Sequence, residues 1–499
     1  MGRRTTNMLK EVDIAELSKT NPFVKLVKGQ KIVEVPELVL ESGVVLNNFP
    51  IAYKTWGHLN SRGDNCMVIC HALTGSSDVS DWWGPMLGND LGFDPSRFFI
   101  VCLNSMGSPY GSFSPLTINE ETGRPYGPEF PLCTVRDDVR AHKIVLESLG
   151  VKSVACVIGG SMGGMLALEW ASLYGHGPEK YVHNLVALAT SARHSAWCIS
   201  WSEAQRQSIY SDPKYMDGYY TFDEPPVTGL SAARMSALLT YRSRNSFENK
   251  FSRRKPSIEQ AQKSNRKASA GEGQEATIPS SVSEQSLRIH NDGYRSSTPQ
   301  PRIEFNRNGR NGSVVSDVSS AESIKSASSL TSVSSVTGEA KEVKPAQTYF
   351  SAQSYLRYQG AKFVNRFDAN CYIAITRKLD THDLARDRPE YDEDIERVLE
   401  SIDIPSLIIG IKSDGLFTYS EQEFLAEYLP NSRLEKIESP EGHDAFLLEF
   451  KLINQLILEF LNKNVKDIMT APPRQWTGEI GQDEHAGSVF GEAEEVTNW

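Results

Sequence analysis

Three side chains in this sequence have the types that together make an activated serine nucleophile: Ser161, Asp414 and His443. Ser161 sits in Val157-Ile158-Gly159-Gly160-Ser161-Met162-Gly163-Gly164-Met165, between a β-branched apolar run and a stretch rich in Ala, Leu and Met. Residues 153–158 predict a short buried strand and residues 162–174 a helix. The Gly-x-Ser-x-Gly turn between them reads as a nucleophile elbow, a strand-to-helix turn tight enough to strain the serine backbone. Flanking glycines are required there because a Cβ would collide with the neighbouring strand or helix. Such a turn lifts the hydroxyl clear of the sheet and sets it near a helix N-terminus, where developing negative charge is favoured.

A lone serine is a weak nucleophile; it needs a base, and the base needs an orienting carboxylate. Asp414 follows a predicted strand at 406–411 in Ser413-Asp414-Gly415. His443 follows the last predicted strand, 434–437, in Glu441-Gly442-His443-Asp444. Alone, an Asp beside Gly forms turns and a loop histidine is commonplace. Strand-end placement, the elbow and the chain order Ser, Asp, His agree jointly with the triad of an α/β-hydrolase fold. In that arrangement the N–H of Met162 is one oxyanion donor. The N–H of Leu73, in the loop His71-Ala72-Leu73-Thr74-Gly75-Ser76 after a buried strand at 67–70, is the second. His71 itself reads as a packed loop histidine rather than a catalytic group.

The elements that must hold these residues follow in order. Residues 31–40 and 51–55 predict an antiparallel entry into a sheet, with a turn at Glu41-Ser42-Gly43. Strands at 67–70, 98–103, 153–158 and 185–189 alternate with helices at 134–149 and 162–174, the first capped by Thr134 with Asp137 and Asp138 in its opening turn. This cadence predicts an α/β fold: a mostly parallel sheet covered by helices on both faces, with functional loops at the carboxyl ends of its strands. Residues 196–210, 230–242 and 349–377 are helical and strand-free, a helical lid. Between its halves the composition turns serine-rich and polar, as in residues 314–336, and cannot offset the entropy of ordering a backbone. The expected organisation is an N-terminal extension (1–20), a first core part (21–195), a first lid part (196–248), a disordered insert (249–344), a second lid part (345–400), a second core part (401–468) and an acidic tail (469–499). A closing helix is expected at 446–460.

Composition narrows the function classes. The 499-residue chain carries a formal charge of −11, which opposes non-specific nucleic-acid binding. No run of eighteen apolar residues predicts a membrane span, and residues 1–20 lack the apolar core of a signal peptide. The seven cysteines are scattered, without a Cys-x-x-Cys pair, and no His-Glu-x-x-His occurs, so neither a disulfide framework nor a metal site is expected. A cytoplasmic, reducing setting fits these features.

The residues around the three candidates carry a closer likeness. Gly159-Gly160-Ser161-Met162-Gly163-Gly164-Met165, His71-Ala72-Leu73-Thr74-Gly75, Ser413-Asp414-Gly415-Leu416-Phe417, Gly442-His443-Asp444-Ala445-Phe446 and Asn104-Ser105-Met106-Gly107-Ser108-Pro109-Tyr110-Gly111 resemble the homoserine O-acetyltransferases, the fungal form in particular. The likeness runs from Asn21-Pro22-Phe23 to Glu492-Ala493-Glu494, insert included. It implies acetyl transfer from acetyl-CoA to the hydroxyl of L-homoserine through an acetyl-Ser161 intermediate, a step toward methionine. Acetyl-CoA is then a co-substrate, no further cofactor or metal is implied, and a homodimer is compatible with the sequence. The family's substrate residues map onto Arg234, Tyr241 and Asp444: Arg234 for the α-carboxylate and Asp444 for the ammonium. Read from residues alone, Arg234 is a solvated arginine and Tyr241 a packed tyrosine sharing one helix face. Three other readings stay open: a serine esterase, the same fold acting on succinyl-CoA or L-serine, and a non-catalytic scaffold working through its serine-rich insert.

Overall fold

The computed structural model describes residues 8–257, 286–287, 289–293 and 349–476. Its strand character follows the two kinds of apolar pattern in the sequence. Where apolar and polar side chains alternate, the strands are half-buried and antiparallel. β1 (Lys10–Glu11) pairs with β2 (Lys31–Val39), which pairs with β3 (Val45–Trp56) across a turn at Gly43. Where the apolar run is continuous, the strands are buried on both faces, as parallel strands are. These are β4 (Cys66–Cys70) and β5 (Phe99–Leu103) and, beyond a two-stranded hairpin of β6 (Ile118–Asn119) and β7 (Arg124–Pro125), β8 (Val154–Gly160), β9 (Leu185–Leu188) and β10 (Ser406–Ile411). β11 (Ser432–Ile437) closes the edge.

All but the hairpin form one nine-stranded sheet in the order β1-β2-β3-β5-β4-β8-β9-β10-β11. Every pairing from β5 to β11 is parallel. Successive side chains leave a strand on opposite faces. Val68 of β4 therefore joins a core built with the helices Val135–Ser148 and Met162–Tyr174. Met67 and Ile69 join a second core beneath Trp83, Phe93 and the helix Phe450–Asn464. The first of these helices has Thr134 as its N-cap, as expected, and adds a capping box, Thr134 and Asp137 each accepting from the other's backbone N–H.

Above the carboxyl ends of the parallel strands lie the helices Ala196–Tyr210, Val227–Tyr241, Arg244–Lys250, Ser351–Phe363 and Ala369–Asp380. A buried ion pair anchors this lid to the core. Lys378, within Ala369–Asp380, donates to the Asp138 carboxylate and, at 2.7 Å, to the carbonyl of Met106, whose own N–H reaches Asp138 Oδ1 at 2.9 Å.

Several boundaries differ from the sequence expectation. Within the N-terminal extension, β1 completes the sheet edge and the helix Ile14–Thr20 packs Leu17 on a small satellite core. The lid continues past residue 248, because Phe251 is buried against Tyr355 and Phe247. The β6–β7 hairpin, which the sequence reading did not include, is too short to carry a periodic signal. A helix at Tyr419–Tyr428, whose pattern is polar on most faces, follows the Asp414 loop unanticipated. The closing helix breaks at Glu449 into Ala445–Leu448 and Phe450–Asn464. Of the tail, Arg474 N–H reaches the Ser96 carbonyl at 2.8 Å. The serine-rich segment lies almost wholly outside the described residues. No described helix is long and apolar enough to cross a membrane.

Lys378→Ala leaves the Asp138 carboxylate buried without its counter-ion, an uncompensated charge that costs about 3–5 kcal/mol. Urea unfolding should register that loss. The double variant Lys378→Met with Asp138→Asn should recover part of it, since no charge is then left stranded.

Candidate active site

Ser161 joins β8 to the helix Met162–Tyr174 with φ 59° and ψ −127°, a conformation that L-residues adopt only when their surroundings force it. The glycines explain how. A Cβ on Gly159 would stand 2.0 Å from the Gly163 carbonyl oxygen, and one on Gly163 would stand 2.1 Å from that of Cys70. The serine backbone is pinned on both sides: its N–H donates to Leu188 O at 3.0 Å, and its carbonyl accepts from Thr190 Oγ1 at 2.7 Å.

His443 and Asp414 come from the loops after β11 and β10. Asp414 Oδ2 accepts from His443 Nδ1 at 2.7 Å. Its other oxygen accepts from the backbone N–H groups of Leu416 and Phe417 at 2.8 and 3.0 Å, which fixes the carboxylate plane. Ser413 ties the two loops together, accepting from Gly442 N–H at 3.0 Å and donating to Ser439 O at 2.6 Å. Burial pulls the His443 pKa down, but the charge and hydrogen bond of Asp414 outweigh it, and the imidazolium is held above its ordinary value.

One cavity gathers the expected residues. Ser161, His443, Leu73, Met162, Tyr241 and Asp444 all line it. Met162 is the first residue of its helix, so its N–H has no intrahelical acceptor. The Leu73 loop is held by His71, which is buried and neutral. Its Nε2 accepts from Ser105 N–H at 2.9 Å, so the proton sits on Nδ1 and is donated to Ala72 O at 2.8 Å. Burial pushes the His71 pKa down to about 4. That is the packed histidine the sequence suggested.

Arg234 is placed differently from the sequence-based picture. It is 1% exposed rather than solvated, and it is not among the cavity-lining residues. Its guanidinium lies 5.5 Å from the ring of Tyr241 and 5.0 Å from that of Phe363. Asp444 has a cationic neighbour the sequence did not point to. Arg242 Nη1 stands 3.9 Å from Asp444 Oδ2, while its Nη2 donates to Glu441, two residues before His443. The lid end and the histidine turn are also in close backbone contact: a Cβ on Gly442, at φ +73°, would meet Ser243 N at 2.4 Å.

Sequence reasoning also missed Cys198, Trp201, Ser202 and Gln205, which line the cavity from the helix Ala196–Tyr210. Their spacing of three, four and seven marks one helix face. What faces a site rather than a core is not written in that spacing. Glu421, in the unanticipated helix, has its pKa pushed up to about 7, by burial first and then by the charge of Asp414. Among the described residues no group of three or more His, Cys, Asp or Glu could hold a metal ion.

Against known proteins, a family model described as alpha/beta hydrolase fold matches residues 65–286. Homoserine O-acetyltransferase of Saccharomyces cerevisiae is 74% identical over 491 residues, 98% of this chain and 98% of that protein. The enzyme of that name from Emericella nidulans is 54% identical, over 96% of each. Among solved structures, homoserine O-acetyltransferase from Bacillus anthracis superposes with a TM-score of 0.64 at 19% identity, covering 87% of this chain and 98% of that one. Esterase E22 superposes at 0.62 and 22%, covering 87% and 99%. At such identities the two structures speak to the fold alone.

The site makes a prediction about pH. A histidine base works only when neutral, so activity should fall as pH drops through the His443 pKa. Asp414→Asn removes the charge that raises that pKa. The acid limb of the kcat/KM profile should therefore move to lower pH, while the plateau falls by orders of magnitude as the imidazole loses its orienting partner. An acid limb that stays in place would separate the limb from His443.

Proposed function

Because the chain belongs to the homoserine O-acetyltransferases, we propose that it transfers the acetyl group of acetyl-CoA to the hydroxyl of L-homoserine by way of an acetyl-Ser161 intermediate, in the cytoplasmic route to methionine. The observation that carries the chemistry is the 2.7 Å bond between Asp414 and His443 beside a cavity that Ser161 also lines.

In the first half-reaction His443 takes the proton of Ser161 as its Oγ attacks the thioester carbonyl. The backbone N–H groups of Leu73 and Met162 receive the oxyanion. The carbon–sulfur bond then breaks, and the proton on His443 leaves with the CoA thiol. In the second, L-homoserine enters the emptied cavity and its hydroxyl gives its proton to His443 while attacking the acetyl-serine. Collapse of that tetrahedral intermediate returns the proton to Ser161 and frees O-acetylhomoserine. One base and one oxyanion hole serve both halves. Asp444 and Tyr241, on the cavity wall, address the amino-acid end of the acceptor. Asp444 takes the ammonium; Arg234, which lies behind the cavity wall against the Tyr241 ring, takes the carboxylate only if that ring shifts to uncover it.

Mass spectrometry after acetyl-CoA alone should find one added acetyl group on Ser161 and none in Ser161→Ala. His443→Ala should lose several orders of magnitude in rate. Sequential kinetics without an acyl-enzyme would sink the two-step route. Rapid release of CoA thiol without any acceptor would identify an esterase instead, and faster turnover with succinyl-CoA or L-serine would reassign the acyl pair.

Arg234→Ala should slow transfer to homoserine by the roughly 2–5 kcal/mol that truncating one partner of a buried charge pair costs. Acetylation of Ser161 should stay fast, because the acetyl end of the donor presents no carboxylate to this group. Equal slowing of both half-reactions, followed by quenched-flow, would make Arg234 structural.

A further inference from the structure

The cavity has a second set of polar groups, distinct from those assigned to the acceptor, with Phe417 between His194 and His443 at ring-centroid distances of 6.0 and 5.3 Å. Trp201 and His194 line it alongside Cys198, Leu379 and Leu416. The indole Nε1 of Trp201 and both ring nitrogens of His194 are buried and have no hydrogen-bond partner among the described residues. Burying such a group unpaired costs about 1–3 kcal/mol, so several together in a cavity wall mark a place where a ligand supplies the missing partners. His194 is 8% exposed, and burial, ahead of the charges of His382 and Arg206, lowers its pKa to about 3. It is therefore neutral and offers one donor and one acceptor, while the indole offers one donor.

The charges of this wall limit what can bind. Asp444 is the carboxylate among its lining residues, and His443 stands beside Tyr241, with ring centroids 6.1 Å apart. Apolar side chains and neutral hydrogen-bonding groups make a poor seat for a zwitterionic amino acid. They suit a secondary amide on an aliphatic chain, which has one carbonyl to accept and one N–H to donate. The path outward is aromatic. Trp201 meets Trp197 edge-on, with ring centroids 5.7 Å apart. Trp197 is 55% exposed, and its Nε1 donates to Gly415 O at 3.0 Å, beside the cavity-lining Leu416.

We infer that Trp201 and His194 hold an amide of the pantetheine arm of the acyl donor, with Trp197 flanking the arm where it leaves the cavity. The assignment rests on the acetyl-CoA reading above. It divides one cavity between two successive ligands: the long neutral arm along the tryptophan side, the charged acceptor along the Tyr241–Asp444 side.

Trp201→Phe keeps an aromatic ring and removes only the N–H. Ser161 acetylation should be timed with two donors, acetyl-CoA and p-nitrophenyl acetate, which carries no amide arm. Loss of one hydrogen bond worth about 1–1.5 kcal/mol should lower kcat/KM for acetyl-CoA roughly 5- to 15-fold, through KM. Reaction with p-nitrophenyl acetate and the KM for homoserine should stay as they were. His194→Gln, which retains a donor and an acceptor, should lose less than His194→Ala and guards against a Trp201 variant that folds poorly. Equal losses with both donors, a raised KM for homoserine, or no change in either variant would each overturn the assignment. A wild-type protein that reacts with p-nitrophenyl acetate but never with acetyl-CoA would instead remove the acetyl-CoA reading itself.

Discussion

The structure depends on a near-collision. At the end of β8 the chain must turn into a helix so closely that Gly159 and Gly163 leave no room for a side chain, one against the other's backbone and one against Cys70 at the end of β4. That approach forces Ser161 to φ 59°, and two hydrogen bonds, to Leu188 and from Thr190, hold it there. The strain is sustained by the central strands, which are buried on both faces and bonded to parallel neighbours on both sides. A single hairpin could not hold such a turn; a nine-stranded sheet with a core on each face can. The same approach of β4 to the elbow brings the Leu73 loop beside Met162, so one packing constraint supports both the proposed nucleophile, Ser161, and the oxyanion site proposed next to it.

His443, the proposed base, is held by different means. Nothing strains the His443 backbone; its position follows from a web of hydrogen bonds through Asp414, Ser413 and Ser439, and from rings at Phe417 and Phe446, 5.3 and 5.2 Å away. From above, the lid presses on the same turn. Arg242 binds Glu441, and Gly442 admits the backbone of residues 241–243 at a distance no side chain would allow. The lid is thus not a separate cap. Its helix Val227–Tyr241 ends on the histidine turn, and its helix Ala369–Asp380 is anchored by the Lys378–Asp138 pair to the core helix Val135–Ser148. Any opening of the lid at these points would have to break a buried ion pair.

How far the sequence foretold this differs by element. The parallel strands were legible because a run such as Met67-Val68-Ile69-Cys70 has only one use in an α/β chain, and the elbow was legible because four glycines around one serine have few others. Asp414 and His443 followed from chain order and strand ends. What could not be read was side-chain direction in the lid. Arg234 and Tyr241 sit seven residues apart on one helix, yet Tyr241 lines the cavity while Arg234 is packed on the rings of Tyr241 and Phe363. Helical period fixes a face, not the depth at which a neighbouring helix covers it. Arg242 and Glu441 are 199 residues apart, and no local pattern announces such a pairing. The helix Tyr419–Tyr428 escaped because its apolar face is narrow, with Gln422 and Leu425 as its buried residues.

An esterase and an acetyltransferase both superpose on this chain, so the fold alone does not separate hydrolysis from transfer. Water competes with an acceptor hydroxyl for the same acyl-serine and is present at a far higher concentration. Transfer wins only if the acceptor is oriented and the hydroxyl of water is not, which is a matter of effective concentration rather than of nucleophile strength. The described cavity has the makings of that bias. Its walls are largely apolar, with Leu73, Leu379, Leu416, Phe446 and Leu447 around the serine, and offer water few partners. Its polar side chains include Asp444, which is braced by the Arg242 guanidinium at 3.9 Å. A zwitterion docked there brings its own hydroxyl to Ser161, whereas a water molecule docks nowhere in particular. On this view the triad supplies the reaction and the lid chooses the acceptor, which is why the residues that set the outcome lie on helices whose faces the sequence leaves hardest to read.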